Sequence, residues 1–513
     1  MSGDGASASE GATAVRGSTG LSPSPRHPLA RGPVAAAIAL QALVLTANSA
    51  GYGYHRDELY FRLLKPGWGY LDQPPLTPLL VHVTRWLVAD DVWALRIPAT
   101  LAAAASVLLI VAITREVGGD RTAQTLAAWG YAFASFPLVL GHVLLTSSID
   151  QPVWLGVLLL IIGAVLRGKD RWWLYAGALV GLGLYNKLLI VVLLAALTVG
   201  VLITGPRRML VHPPVVAAAG LAVLVGLPNV LYQALHGWPQ LEFGRQLAAH
   251  NSAGVRTGMW PLLLLLLGPP LVAVWLAGVL AVWRRPQWRP LRFLAAALPV
   301  LLALVFILGS QPYYEFGLLS ALFAVGCVPT AGWLTRGRKG RLITVAVLGG
   351  VNAAVSAVIA LPLIPIAGLA STPVPAINQA AGDTVGWPAY VRQVADAFGT
   401  LPAADRRHTA VVASNYGEAG ALDRYGPAWH LPRPYSAQNQ LYFQGRPPAT
   451  DTLAIVVGGE ADQARQLFSG CRQSGKLNNG VDVDNEEQGE PILICRHPIG
   501  GWGAVWPALK HED

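Results

Sequence analysis

Residues 33–60 read PVAAAIALQALVLTANSAGYGYHRDELY. Residues 33–51 carry no charge and match the length needed to cross a hydrocarbon core of about 30 Å. Four ionisable residues, His55, Arg56, Asp57 and Glu58, follow almost at once. Ionisable groups at a membrane edge are costly unless they line a polar cavity. The juncture therefore predicts a span that opens into a working outer loop.

The rest of the chain extends this reading. Of 513 residues, 53% are hydrophobic and 13% charged, where a soluble domain carries roughly 25% charged residues. With a mean hydropathy of +0.45, a wholly soluble protein is excluded. The net charge of +9 belongs to loops between spans, so nucleic acid is not expected as a partner. Three cysteines allow neither a disulfide-rich scaffold nor a zinc cage of the usual spacing. There is no Walker loop and no GxGxxG after a strand, and Gly177 and Gly181 sit in an apolar run at the spacing of close helix packing.

Apolar runs recur at 33–51, 94–113, 122–141, 152–166, 172–185, 188–204, 214–232, 260–283, 291–309, 316–334 and 342–368, which predicts a polytopic α-helical membrane protein of about eleven spans. Residues 1–32, rich in Ser, Gly, Ala and Pro, read as a disordered cytoplasmic tail. The dense basic clusters, from Arg115 and Arg121 to Arg336, Arg338, Lys339 and Arg341, all fall in alternate short loops. That asymmetry places the N-terminus inside and residues 369–513 outside a plasma membrane. Residues 408–414, 452–458 and 491–496 of this outer portion read as short strands, with helical patterns at 380–398 and 461–469, hence a small α/β domain. Leu441–Gly445 resembles a protease-tag core but sits within native-looking sequence.

The unusual polar residues gather on the outward side. The loop 52–93 holds the Tyr54–Tyr60 stretch and Asp72-Gln73-Pro74-Pro75-Leu76. A loop this long in a compact bundle is usually functional, and its mix of Trp, Tyr and Leu with charges suits short helices along the interface. Later edges add His142, Thr146–Ser148 and Asp150; Asn186-Lys187; Asn229, Tyr232, Gln233, His236, Trp238 and Glu242; and Gln311-Pro312-Tyr313-Tyr314-Glu315. Each has a mundane reading, such as a snorkelling lysine, an interfacial aromatic belt or a satisfied histidine. Their convergence on one layer points instead to a pocket with directed polar groups. Asp482-Val483-Asp484 has the DxD spacing of metal-dependent nucleotide-sugar transferases but reads as an acidic surface loop, and Cys327 reads as a packing residue. Cys471 and Cys495, the two cysteines of the outer portion, are expected to form a disulfide in an oxidising exterior.

In order and spacing, Asp57-Glu58, Asp72–Leu76, Asp150, Tyr185-Asn186-Lys187, the stretch 229–243 with His236-Gly237-Trp238-Pro239, and Pro312-Tyr313-Tyr314 resemble the bacterial relatives of protein O-mannosyltransferases and lipid A aminoarabinose transferases. These are GT-C membrane glycosyltransferases, family 39/83-like. The resemblance covers roughly residues 33–330, with a weaker echo in Asn415-Tyr416-Gly417-Glu418-Ala419. It implies a GT-C bundle that transfers a sugar from a polyprenyl-phosphate carrier to a hydroxyl of a lipid, protein or cell-wall glycan at the outer face, with inversion. Asp57 then matches the catalytic aspartate, with Glu58 as its helper. Lys187, Arg56 and Asn186 would meet the donor phosphate, aided by a divalent cation on Asp150. His55, Tyr60, Asp72, Gln73, His142, Asp150, Tyr232, His236, Tyr313 and Tyr314 would line the substrate. Gln73 departs from the pattern, since relatives often carry a basic residue or His before the double proline. The rival reading, a transporter or flippase, would place charges near the midplane on interrupted helices and show internal repeats, and no clear repeat is present. A plain membrane anchor for the outer domain leaves the first loop unexplained.

The orientation has a direct check: reporter fusions at Arg338 and at Ala461 are expected to signal from opposite sides of the membrane, and matching signals would refute it.

Overall fold

The computed structural model describes residues 25–309, 311–337 and 339–512. Most of the expected disordered tail therefore lies outside the described residues. Its last part does not behave as a free tail. Arg26 pairs with Glu116, the Arg115 guanidinium donates to the His27 carbonyl, and Ala30 N–H donates to Gln124 Oε1.

Helices dominate, and by length and composition six of the described ones suffice to cross a membrane, or seven if one bent pair counts as a single span. The expectation of eleven is not met by that measure, because several apolar runs form shorter or broken helices. The run 122–141 splits into Arg121–Ala132 and Ser135–His142. Pro137 lacks an N–H and fits the first turn of a new helix better than the middle of an old one. The run 260–283 is instead the joint between Pro239–Leu265 and Pro269–Arg284, bent by 91°. Gly268 has φ +93° there and two prolines follow, so the first helix cannot continue. What was expected as an outer loop beyond 238 is thus mostly helix.

Broken backbone inside a bundle must find partners within the protein. Gln41 Nε2 donates to the Ala132 carbonyl, Phe136 N–H donates to the Leu266 carbonyl, and Asn352 Nδ2 donates to the Leu267 carbonyl. Each break thus finds partners within the bundle, and the bond from Phe136 joins the two directly. Elsewhere small residues let helices approach. A Cβ on Gly177 would lie 2.2 Å from the Ala218 carbonyl oxygen, and one on Gly181 would lie 2.8 Å from that of Ala222. The GxxxG spacing is a packing seam between helices Asp170–Gly183 and Pro213–Leu235.

Within loop 52–93, helix Leu76–Leu87 buries Thr77, Val81 and Thr84 and exposes Leu79, Val83, Trp86 and Leu87, the amphipathic form of an interfacial helix. The outer domain holds a five-stranded sheet of order β2-β1-β3-β5-β4, with β1 Thr409–Ala413, β2 Pro434–Ser436, β3 Leu453–Val457, β4 Phe468–Lys476 and β5 Pro491–Pro498. β1 and β3 are buried at every residue. One face packs on helices Ala461–Leu467 and Trp502–Ala508. The other forms a single core with Tyr54, Leu59, Tyr60, Phe61 and Leu64 of the first outer loop. The domain is therefore continuous with that loop. The strand β4 was not expected, since its sequence FSGCRQSGK has neither alternation nor β-branched residues and its side chains are mostly exposed. Cys471 on β4 faces Cys495 on β5 with Cα atoms 4.1 Å apart, and their sulfurs are bonded.

The helix seam is testable with a matched pair. Gly177→Val should cost about 1–3 kcal/mol by overpacking, whereas Gly220→Ala, whose Cβ meets nothing within 4 Å, should leave thermal unfolding in detergent unchanged. Equal effects would contradict the seam.

Candidate active site

Helix Arg56–Leu63 presents the first candidate residues, and a capping box starts it. His55 Nδ1 accepts from Asp57 N–H at 3.1 Å, and Glu58 Oε2 accepts from His55 N–H at 2.8 Å. Glu58 is wholly buried and its remaining capacity is also used. Arg96 Nε donates to Oε1 at 2.9 Å, Arg96 Nη2 to Oε2 at 3.0 Å, and Leu144 N–H to Oε1 at 2.9 Å. Arg96 goes on to donate to the carbonyls of Ser49 and Gly53, each at 2.8 Å, and to His142 Nε2 at 3.3 Å. Glu58, expected as the helper of Asp57, has both oxygens held by fixed donors and anchors the loop.

His55 and His142 belong to the same network. His55 is a buried cap whose Nε2 lies 3.7 Å from Asp383 Oδ2, and burial lowers its pKa. His142 faces Arg96 on one side and, on the other, a separate small cavity shared with Tyr52, Val139 and Thr384. Arg56 is partly engaged, with its Nε left unpartnered. Its guanidinium pairs with Glu486 of the outer domain and lies 4.8 Å over the Tyr416 ring.

Asp57 differs from these neighbours. Its side chain is 31% exposed, and its one direct side-chain hydrogen bond is from Tyr416 Oη to Oδ1, at 3.1 Å. Asp72 lies on the same outer loop, which Leu76 and Thr77 join to the turn carrying Lys187. Asp72 is pushed up to about 7, chiefly by burial, while a hydrogen bond from Tyr60 works the other way. The Tyr60 ring packs 4.7 Å from that of Tyr416. Gln73 is buried with its amide nitrogen unpartnered. Tyr232 closes this side by packing on Gly69 and stacking at 4.1 Å on His236, which is exposed at the rim.

The turn Tyr185–Lys187 is stitched to the same loop. Leu76 N–H donates to the Tyr185 carbonyl at 2.8 Å, and Thr77 Oγ1 donates to Asn186 Oδ1 at 2.7 Å. Asn186 Nδ2 donates to the Thr146 carbonyl at 2.8 Å. Fully buried and so engaged, Asn186 is a brace and not the expected phosphate ligand. Lys187 is the cation left to serve. Its Nζ donates to Ser147 Oγ at 3.1 Å and lies 4.9 Å from the Tyr314 ring and 5.9 Å from that of Tyr313. Beside it is a small cavity lined by Ser147, Asp150, Gln151, Trp154, Tyr313 and Tyr314, in which Asp150 Oδ1 has no partner.

A divalent cation on Asp150 is not what this donor set fits. Among the described residues no three of His, Cys, Asp and Glu gather to hold a metal ion, and the charge acting on Asp150 is the Lys187 ammonium. Two functional residues escaped the sequence reading. Arg96 lies inside the apolar run 94–113, where a charge demands a partner, and that was the available signal. Tyr416 had none beyond the faint echo around it.

Comparison with known proteins agrees with this architecture. Residues 72–232 match the family described as Dolichyl-phosphate-mannose-protein mannosyltransferase. That span takes in Asp72, Asp150, Lys187 and Tyr232 but not Asp57. Among solved structures, ArnT from Cupriavidus metallidurans bound to undecaprenyl phosphate is similar at a TM-score of 0.57 and 14% identity, covering 90% of this chain and 98% of that one. Its apo state gives the same TM-score and identity, covering 91% and 98%. The Archaeoglobus fulgidus oligosaccharyltransferase in complex with Zn and sulfate reaches a TM-score of 0.41 at 14% identity, covering 84% of this chain and 69% of that one. No curated protein matches the sequence significantly. The chain has an ArnT-like fold.

The anchor role of Glu58 is open to test. Arg96→Met leaves a buried carboxylate without its partner, which should cost about 3–5 kcal/mol in thermal unfolding of the detergent-solubilised protein. A change below about 1 kcal/mol, the scale of a surface pair, would contradict it.

Proposed function

We propose that this protein is an inverting glycosyltransferase that moves a sugar from a polyprenyl-phosphate carrier to a hydroxyl acceptor at the outer face of the plasma membrane. The observation that carries the reading is Asp57: a carboxylate 31% exposed on a helix whose other charged groups are all engaged, on an outer loop that Leu76 and Thr77 tie to the turn carrying Lys187. A base for the acceptor hydroxyl and a cation for the departing phosphate are what this reaction needs. As the acceptor oxygen bonds to the anomeric carbon, its proton passes to Asp57. The bond from that carbon to the phosphate oxygen breaks, and the phosphate leaves with the electron pair. Lys187 offsets the charge that develops there. Attack from the side opposite the phosphate inverts the centre.

The donor class is supported by the similarity to ArnT, which has been seen with undecaprenyl phosphate bound, and by the match of residues 72–232 to a dolichyl-phosphate-mannose-dependent family. The reading takes mannose, another hexose, or a pentose or aminopentose as the sugar, and a lipid, protein or cell-wall glycan as the acceptor. With Gln73 neutral and Arg56 and Asn186 engaged, the phosphate role falls to Lys187. The reading places the N-terminus in the cytoplasm and the outer domain beyond the membrane, so donor and acceptor meet at one interface.

The test is transfer of label from a panel of radiolabelled polyprenyl-phosphate sugars in membranes holding the protein. With the donor that works, Asp57→Asn should lose about 100-fold or more of the rate, the scale of general-base removal, at normal abundance. Lys187→Ala should chiefly weaken donor use. Near wild-type turnover by the Asp57→Asn protein would refute the assignment.

A further inference from the structure

The stretch Asn415–Ala419 and the outer domain that carries it have no part in the reaction as described so far. Yet the domain reaches the reacting group directly. Tyr416 Oη donates to Asp57 Oδ1 at 3.1 Å, across 359 positions of sequence. Resting on the transferase reading, we infer that Tyr416 is a positioning residue for the Asp57 base, and that the outer domain is therefore a working part of the active site.

The surroundings of Tyr416 are built to hold that hydroxyl in place. Its ring lies between the Tyr60 ring, at 4.7 Å, and the Arg56 guanidinium, at 4.8 Å. Glu486, from the same outer domain, holds Arg56 by an ion pair. The backbone is fixed as well: Tyr416 N–H donates to Gln438 Oε1 at 2.6 Å, and a capping box of Asn415 and Glu418 starts helix Tyr416–Tyr425. That helix then lies against the Asp57 helix at a spacing only glycine permits. A Cβ on Gly420 would come within 2.7 Å of Leu59 backbone atoms, and one on Gly417 within 3.0 Å of Arg56 Cβ. A second tie joins the domain to the loop, from Trp387 Nε1 to the Tyr54 carbonyl at 3.0 Å.

The chemistry follows from one proton. A phenol donates a single hydrogen bond, so it occupies Oδ1 and leaves Oδ2 to accept the proton of the acceptor hydroxyl. Burial holds the Tyr416 phenol well above its ordinary range, so it remains a donor throughout the working pH. A hydrogen bond to the charged carboxylate also favours the form that acts as a base. A residue that merely fills space would do neither.

The experiment uses full-length protein in membranes with the labelled donor identified for the wild type. Tyr416→Phe keeps the ring between Tyr60 and Arg56 and removes only the hydroxyl. The expected result is a fall in kcat of about 10-fold or more, the size of a lost hydrogen bond to a charged group. KM for the donor should stay within about twofold of wild type, the scatter of such a comparison, and the acid limb of the rate–pH profile should move to higher pH. Incorporation of 3-fluorotyrosine at 416 gives a stronger donor of nearly the same shape and should move that limb the other way, which also decides the matter if the Phe protein is poorly made. Unchanged kcat and an unmoved acid limb in both proteins, with Asp57→Asn inactive, would overturn the role of Tyr416 alone. An active Asp57→Asn protein would instead overturn the transferase assignment on which it rests.

Discussion

The buried pair between Arg96 and Glu58 is the constraint on which the rest of the outer face depends. Two charges withdrawn from water stabilise a structure only when their hydrogen-bonding capacity is met, and here both are used for joining. Arg96 stands at the start of helix Ile97–Glu116, Ser49 at the end of helix Arg31–Asn48, Gly53 in the turn after it, and Leu144 in the link between two further helices. Glu58 lies at the centre of these joints. Because it caps the helix that begins at Arg56, the same contacts set the direction in which its neighbour Asp57 projects. One carboxylate of the adjacent pair is locked so that the other is presented.

A second consequence concerns the outer domain. Sheet residues Val411, Ile455 and Ile494 share a core with Leu59, Phe61 and Leu64. Neither the first loop nor that face of the sheet is buried without the other. The segment Gln438–Gln444 adds polar ties, with Leu71 N–H donating to Gln440 Oε1 at 2.9 Å. The residues that resemble a protease-tag core are thus part of this contact, with Leu441 buried in it. Rigid support from both sides suits a site whose chemistry depends on placing a base and a cation around a narrow cavity.

Much of this was legible in the sequence, for physical reasons. Long uncharged runs announce helices in lipid, and the outer loops betray a site because charges at a membrane edge need a purpose. That argument singled out Asp57, Asp72, Asp150 and Lys187 as candidates, and three of the strands, short and apolar, were legible as strands. What stayed hidden depends on partners far apart in the chain. Glu58, Arg56 and Asn186 look as available as Asp57 in one dimension, and only the fold shows them engaged by Arg96, Glu486 and Thr77. The joint at Gly268 was obscured because apolar residues continue across it. Tyr416 was out of reach because nothing local says that it meets Asp57.

The central claim is that Asp57 and Lys187 flank one site for a lipid-linked sugar phosphate. Its most direct test is an experimental structure of the protein in lipid nanodiscs with a polyprenyl phosphate bound. The account predicts the phosphate within hydrogen-bond reach of Lys187 Nζ, about 3 Å, with the Asp57 carboxylate facing the same cavity. A phosphate held elsewhere in the bundle, with Lys187 still bound to Ser147, would contradict it.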